Sequence, residues 1–388
     1  MCRVHLLYLW VLLLTMFCVF SCEPEKMDTV DAVLLVYIAA DNDLSAEGVE
    51  KLEAMRWGWQ ADKKQKLLVY RDLSESLPRL LEITEDQELK VIQEFTEENS
   101  ADPVVFNRVI TQAQSLFPKA TFNLLIFSHA TGWLPHDAYL NPTMHDRAAG
   151  SNGVMQKTIM KDRQETMELS DFVDAIPDHA FEYIIFETCF SAGIEVAYAL
   201  KDKCRYLMAS SAEIVSPGFT KLYRTDLSLL FAGRVQDFAQ QVFSYYDGRS
   251  GHKRSATFSV IQTAPLDSLA AFIKEHCDFT QAVAVKQIQY FDRNFDHLFF
   301  DFGDYYAALL HDKKDIDRLK DLLAQSVVWK AATPEFLYPY QGFSIRQHSG
   351  LTTYIPQQNF EKLNEAYRQT AWWRRVRETA ESFHFLVD

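Results

Sequence analysis

Residues 32–40 (AVLLVYIAA) form a near-continuous apolar run, and similar runs recur along the first two thirds of the chain. They fall at 66–71 (KLLVYR), 122–128 (FNLLIFS), 182–187 (EYIIFE), 206–211 (YLMASS) and 257–263 (TFSVIQT). Short runs of this kind are strands buried on both faces, as in parallel sheets. Helical patterns lie between them. Residues 43–57 open on Asp43 as N-cap and carry Leu44, Val49, Leu52 and Met55 as an apolar stripe. Residues 102–117 place Pro103 at the first helical position, and 191–200 use Ser191 as cap. Strand and helix in alternation specify an α/β fold with a mostly parallel central sheet flanked by helices. Residues 222–231, 237–246, 266–283, 304–310, 316–328 and 360–383 read as helices, a helical C-terminal extension of that sheet. The connection 134–168 has no strong period, and a loop of that length inside an α/β unit is commonly functional.

Not all of the apolar content belongs to the fold. Residues 6–20 (LLYLWVLLLTMFCVF) are uncharged, follow Arg3, and precede Ser21-Cys22 and a polar stretch. A membrane span needs about 20 such residues, so this run reads as an export signal. Val19-Phe20-Ser21-Cys22 resembles a bacterial lipoprotein box, which implies a lipid on Cys22. The expected organisation is a signal over 1–21, a linker over 22–30 and one folded domain over 31–388. The expected location is the cell envelope, as an outer-membrane lipoprotein on its periplasmic side or at the cell surface. The formal net charge of −14 argues against nucleic acid as a partner. Cys189, Cys204 and Cys277 remain after Cys22, too few and too scattered for a disulfide framework or a structural zinc site.

Ligands of open α/β sheets bind beyond the carboxyl ends of the strands. The run 122–128 leads into His129, and the run 182–187 leads into Cys189 just before a helix. Alone, each reads more readily as a packed or hydrogen-bonded residue than as a catalytic one. Together, on matching tips of one sheet, they form a nucleophile and a proton carrier, with the helix N-terminus favouring the thiolate.

The flanking residues carry a resemblance. Ser128-His129-Ala130-Thr131-Gly132-Trp133 and the block 187–200 (ETCFSAGIEVAYAL) resemble the two catalytic blocks of the clostripain family of cysteine peptidases, within the caspase-like group. Further family-like pieces follow in order at 37–44, 206–210, 217–219, 301–304 and 350–356. The resemblance implies a caspase-like sandwich and a cysteine endopeptidase cutting after Arg or Lys through a thioester. In it, Cys189 is the nucleophile and His129 the general acid–base. The backbone N–H groups of Cys189 and Ala130 hold the oxyanion, and Glu187 receives a basic substrate side chain. Self-cleavage would fall at Lys157 or Lys161. Partners would be protein or peptide substrates with basic residues, and the membrane through the lipid. The residues suggest no metal or other cofactor; the resemblance admits calcium, without an assigned site.

Two departures stand out. The family commonly has Gly where Ala130 stands, and a left-handed backbone would strain a residue with a β-carbon there. It commonly has Asp where Glu187 stands. Both leave open a weak or inactive homologue acting as a surface binding lipoprotein. A glycan-binding lipoprotein using surface tryptophans is the alternative from another class, while Trp372 and Trp373 read as a terminal helix docking on the core.

Overall fold

The computed structural model describes residues 29–60, 62–135, 138 and 159–377. The expected signal segment, Cys22, Lys157 and most of the long connection lie outside the described residues.

In chain order, the strands are β1 (Ala32–Ala40), β2 (Gln65–Leu73), β3 (Ser76–Ile83), β4 (Leu89–Glu94) and β5 (Thr121–Phe127). A small hairpin of β6 (Met160–Asp162) and β7 (Glu165–Met167) follows. Then come β8 (Phe181–Glu187), β9 (Cys204–Ser210), β10 (Thr257–Gln262), β11 (Phe300–Asp301) and β12 (Val327–Ala332). Nine of them make one sheet in the order β12-β10-β9-β8-β5-β1-β2-β3-β4. The middle five, from β9 to β2, run parallel, and antiparallel strands close both edges.

The apolar alternation of β1 divides the core. Val33, Leu35, Tyr37 and Ala39 join one buried layer, and Leu34, Val36, Ile38 and Ala40 the other. The second layer is covered by α1 (Ser45–Gly58) through Leu52, Ala54 and Met55. The first is covered by α2 (Pro103–Leu116), α3 (Leu169–Asp174) and α4 (Ile194–Ala199). Pro103 opens α2 as expected, and Asp102 caps it, accepting from the N–H groups of Val104 and Val105.

Helices do dominate the second half, but the expected helix over 316–328 gives way at Val327 to strand β12. There the Val-Val-Trp run pairs with β10 rather than continuing the helix, as β-branched and aromatic residues favour. Trp372 and Trp373 are buried, so the last described helix docks its tryptophans on the core.

Candidate active site

Strands β5 and β8 pair in parallel, with Phe127 opposite Glu187. Two residues further along each strand lie His129 and Cys189, so the two emerge at equal distances beyond the last registered pair. Adjacent strands stand about 4.8 Å apart, which sets the scale of their separation. His129 is buried and Cys189 half-buried. The loops that carry them touch. Gly132 has φ +62, and a β-carbon there would lie 2.4 Å from the carbonyl oxygen of Phe190. Only glycine meets both demands at that point. Ala130, in contrast, does not take a left-handed φ, so its methyl group brings none of the strain expected from the departure.

His129 Nε2 lies 2.7 Å from Asp43 Oδ1. Asp43 was expected to cap α1; instead Leu44 holds the N-cap position without a side-chain bond, and the Asp43 carboxylate turns to the histidine. Asn42 Oδ1 accepts from the Leu44 N–H and shapes the turn that lets it do so. Desolvation pushes the Asp43 carboxyl up, but the hydrogen bond and charge of His129 outweigh it, so its pKa lies below the usual aspartate value.

The hairpin β6–β7 fastens this corner. Lys161 N–H donates to Ser128 Oγ, and the Lys161 carbonyl accepts from Asn42 Nδ2. Arg163 N–H donates to the Asp41 carbonyl, and its guanidinium spans Asp41 and Glu97. Lys161 therefore sits inside a buried strand with its backbone engaged. That disfavours cutting there, because a scissile bond must be presented in extended, accessible chain. Lys157 lies outside the described residues.

Cys189 Sγ accepts the N–H of Ile214 at 3.4 Å. The helix expected to start at Ser191 begins only at Ile194 and has six residues, so the helix N-terminus expected beside Cys189 lies five residues further on. Ser191 Oγ instead bonds Thr188 Oγ1 and the Cys189 carbonyl, bracing the turn. The other two thiols differ. Burial raises the pKa of Cys204 strongly and pushes Cys277 up to about 12, so both stay protonated and inert.

The Glu187 carboxylate is already taken up by partners from this chain. It is buried and accepts from Lys51 Nζ at 2.6 Å, from the Phe219 N–H at 2.5 Å and from the Tyr223 hydroxyl. Lys51 is equally buried. A direct ion pair between Glu187 and a basic substrate residue is thus at odds with these surroundings. The carboxylate two residues before the cysteine points at α1, which supplies its own cation.

The calcium question turns on a second acidic group. Asp41, Asp72 and Glu97 bring carboxylate oxygens within 4.8 Å of one another. Both oxygens of Asp72 are buried without a hydrogen-bond partner, and burial with the nearby charge of Asp162 raises its pKa. Clustered oxygen donors of this kind suit a divalent cation such as calcium, but Arg163 already bridges Asp41 and Glu97, so a cation there would have to share or displace it. The cluster joins the turn after β1, strand β2 and the loop after β4, with Asp41 two residues before Asp43 in the chain.

The clostripain family model matches residues 36–329. Among solved structures, the chain is similar to the inactive zymogen of a C11 protease from Parabacteroides distasonis, with 27% identity and a TM-score of 0.76. That match covers 90% of this chain and 98% of the other. It is also similar to a secreted C11 cysteine protease from Bacteroides thetaiotaomicron in complex with an irreversible peptide inhibitor. There the identity is 25%, the TM-score 0.72, and the coverage 89% and 99%. A search of curated proteins gave no match.

Proposed function

The chain belongs to the clostripain family and is a cysteine-type peptidase, and we propose that Cys189 and His129 form its catalytic pair in an endopeptidase working through a thioester. The observation that carries this reading is the register. Phe127 opposite Glu187 sets His129 and Cys189 at matching positions on neighbouring strand tips, while Cys204 and Cys277 are held protonated by burial.

The hydrogen bond to Asp43 assigns the ring proton to Nε2 and leaves Nδ1 as the basic nitrogen. Asp43 therefore positions the ring and stabilises the imidazolium when it forms. His129 takes the Cys189 proton, and the sulfur attacks the scissile carbonyl carbon. The carbonyl oxygen gains charge beside the backbone N–H groups of Cys189 and Ala130, donors that are each worth about 3 kcal/mol in comparable sites. The C–N bond then breaks, and the imidazolium proton goes to the leaving amine. A water molecule, losing its proton to His129, attacks the thioester. The acid departs and the thiol is restored.

Peptide and protein substrates suit this chemistry. A preference for Arg or Lys gains no support from Glu187, whose carboxylate already holds Lys51. The inactive-homologue reading loses one of its two grounds, since Ala130 does not sit in a left-handed conformation. The glycan-binding reading expects His129 and Cys189 far apart and gains no support from their place on neighbouring paired strands. A bound divalent cation would be held by Asp41, Asp72 and Glu97, where it would neutralise buried charge next to the turn that carries Asp43. We further propose export and lipid attachment at Cys22, with the domain held at the envelope. A Cys22→Ala protein should be soluble and unlabelled by a fatty-acid probe; unchanged membrane association would count against the anchor. The peptidase reading is tested on a mixed peptide library. The parent should cleave it and Cys189→Ala should not, and equal behaviour of the two would sink the assignment.

A further inference from the structure

Lys51 is a cation buried next to a nucleophile, on a helix with no other part in the chemistry. Its ammonium lies 2.6 Å from Glu187 Oε1, 3.1 Å from the Pro217 carbonyl and 3.2 Å from Thr220 Oγ1. Glu47, one turn earlier on α1 and partly exposed, lies 3.0 Å away on the solvent side. The Phe127 ring closes the remaining side at 4.4 Å. An ammonium has three donors, and this shell uses all of them.

The surroundings tie this pair to the reacting thiol. Tyr183, Ile185 and Glu187 alternate onto the face of β8 that packs under α1. The segment 214–219 then spans from one group to the other. Ile214 donates its N–H to Cys189 Sγ, and Phe219 donates its N–H to Glu187 Oε1. One short backbone segment therefore links the sulfur to the Lys51–Glu187 pair. Its Glu187 end is tightly packed. Gly218 has φ +59, and even a β-carbon added there would lie 2.2 Å from Glu187 Oε1 and 2.9 Å from Lys51 Nζ. The neighbouring acid Glu213 is likewise taken, by a two-bond pair with Arg293 at 2.6 and 2.8 Å.

We infer that Lys51 is a specificity-determining residue: a built-in cation that satisfies Glu187 and turns the site away from Lys and Arg toward an uncharged residue before the cut. The inference rests on the cysteine-peptidase reading. A substrate cation would have to displace Lys51 from its whole shell or approach it as a like charge, and both outcomes disfavour binding. An uncharged side chain meets neither obstacle.

The test uses the full-length protein and peptidyl acyloxymethyl ketones that differ only in the residue next to the reactive group: Leu, Gln, Lys or Arg. Adduct formation at Cys189 is followed by mass spectrometry. The parent should label faster with Leu and Gln than with Lys and Arg. Lys51→Met keeps the stem and removes the charge, so it should gain about tenfold toward Lys and Arg relative to Leu. Lys51→Met/Glu187→Gln should lose that gain, because the exposed carboxylate is gone. Should either variant fail to fold, the parent's ranking decides alone. Fastest labelling of the parent by Lys or Arg overturns the inference and leaves the peptidase reading standing. A folded Lys51→Met protein with the parent's ranking overturns it as well. No adduct at Cys189 from any of the four probes overturns both.

Discussion

Asp43 and Glu187 are both carboxylates near the catalytic tips, and their environments are opposite. The Asp43 side chain is 66% exposed and bonds His129; that of Glu187 is 1% exposed and bonds Lys51, the Phe219 N–H and Tyr223. From the chain alone, Asp43 reads as a helix cap and Glu187 as the substrate-binding acid. The structure sets Asp43 against His129 and seals Glu187 inside the fold. What separates them is the partner. A histidine that must exchange protons needs an acid that holds the ring without burying it. An acid under a sheet must bring a cation with it, or stay protonated.

That contrast predicts different losses. The largest follows from His129 itself, on which the role of Asp43 depends. His129→Ala should lower kcat/KM by about a thousandfold with folding intact, read by peptide hydrolysis and circular dichroism. A loss below tenfold would remove the reason for calling Asp43 functional. Next is Glu187→Ala, which leaves Lys51 buried without its inner carboxylate and should cost about 3 kcal/mol of stability in urea unfolding. An unchanged midpoint would mean the pair is dispensable to the fold. Asp43→Asn should act the other way. Its kcat should fall by about tenfold to a hundredfold while stability stays within about 0.5 kcal/mol, because the side chain is mostly exposed.

The smallest expected effect sharpens the rule for buried acids by adding one that has no cation. Glu195 is fully buried, accepts from the Tyr354 N–H and Thr353 Oγ1, and has one oxygen without a partner. Burial pushes its pKa up to about 7 from an ordinary 4.5. The folded state therefore binds this proton more tightly than the unfolded chain. Stability is full below about 4.5 and lost as pH rises through about 7. Thermal unfolding should show this decline, and Glu195→Gln should flatten it; a parallel decline in the variant would assign it to other groups.

Much of the fold was legible because β1, β5, β8 and β9 are buried on both faces and so consist of little but apolar residues. Strands β3 and β4 were not, because they form an edge hairpin with Pro78 in one and an exposed polar face on the other. The proposed catalytic pair was legible because matching strand tips bring two reactive residues together whatever the loops do. The partner of His129 was not, because Asn42 and Asp43 after a strand describe a turn and a cap equally well. Lys51 was hidden for a different reason. Its helix buries Gly48, Lys51, Leu52 and Met55, while Val49 is 48% exposed. A stripe drawn through the apolar residues alone had the wrong phase. Spacing of three and four from Gly48 through Lys51 to Met55 was the available sign that a lysine lay on the buried face.

The central claim, that Cys189 carries the acyl group and His129 moves the protons, is tested most directly by trapping the intermediate. During turnover of a peptide ester, the protein is quenched in acid and mapped by mass spectrometry. The account predicts one acyl group, on the peptide containing Cys189, that decays with entry of solvent oxygen into the released acid and decays more slowly in His129→Ala. An acyl group on Cys204 or Cys277, or turnover that persists in Cys189→Ala, would contradict it.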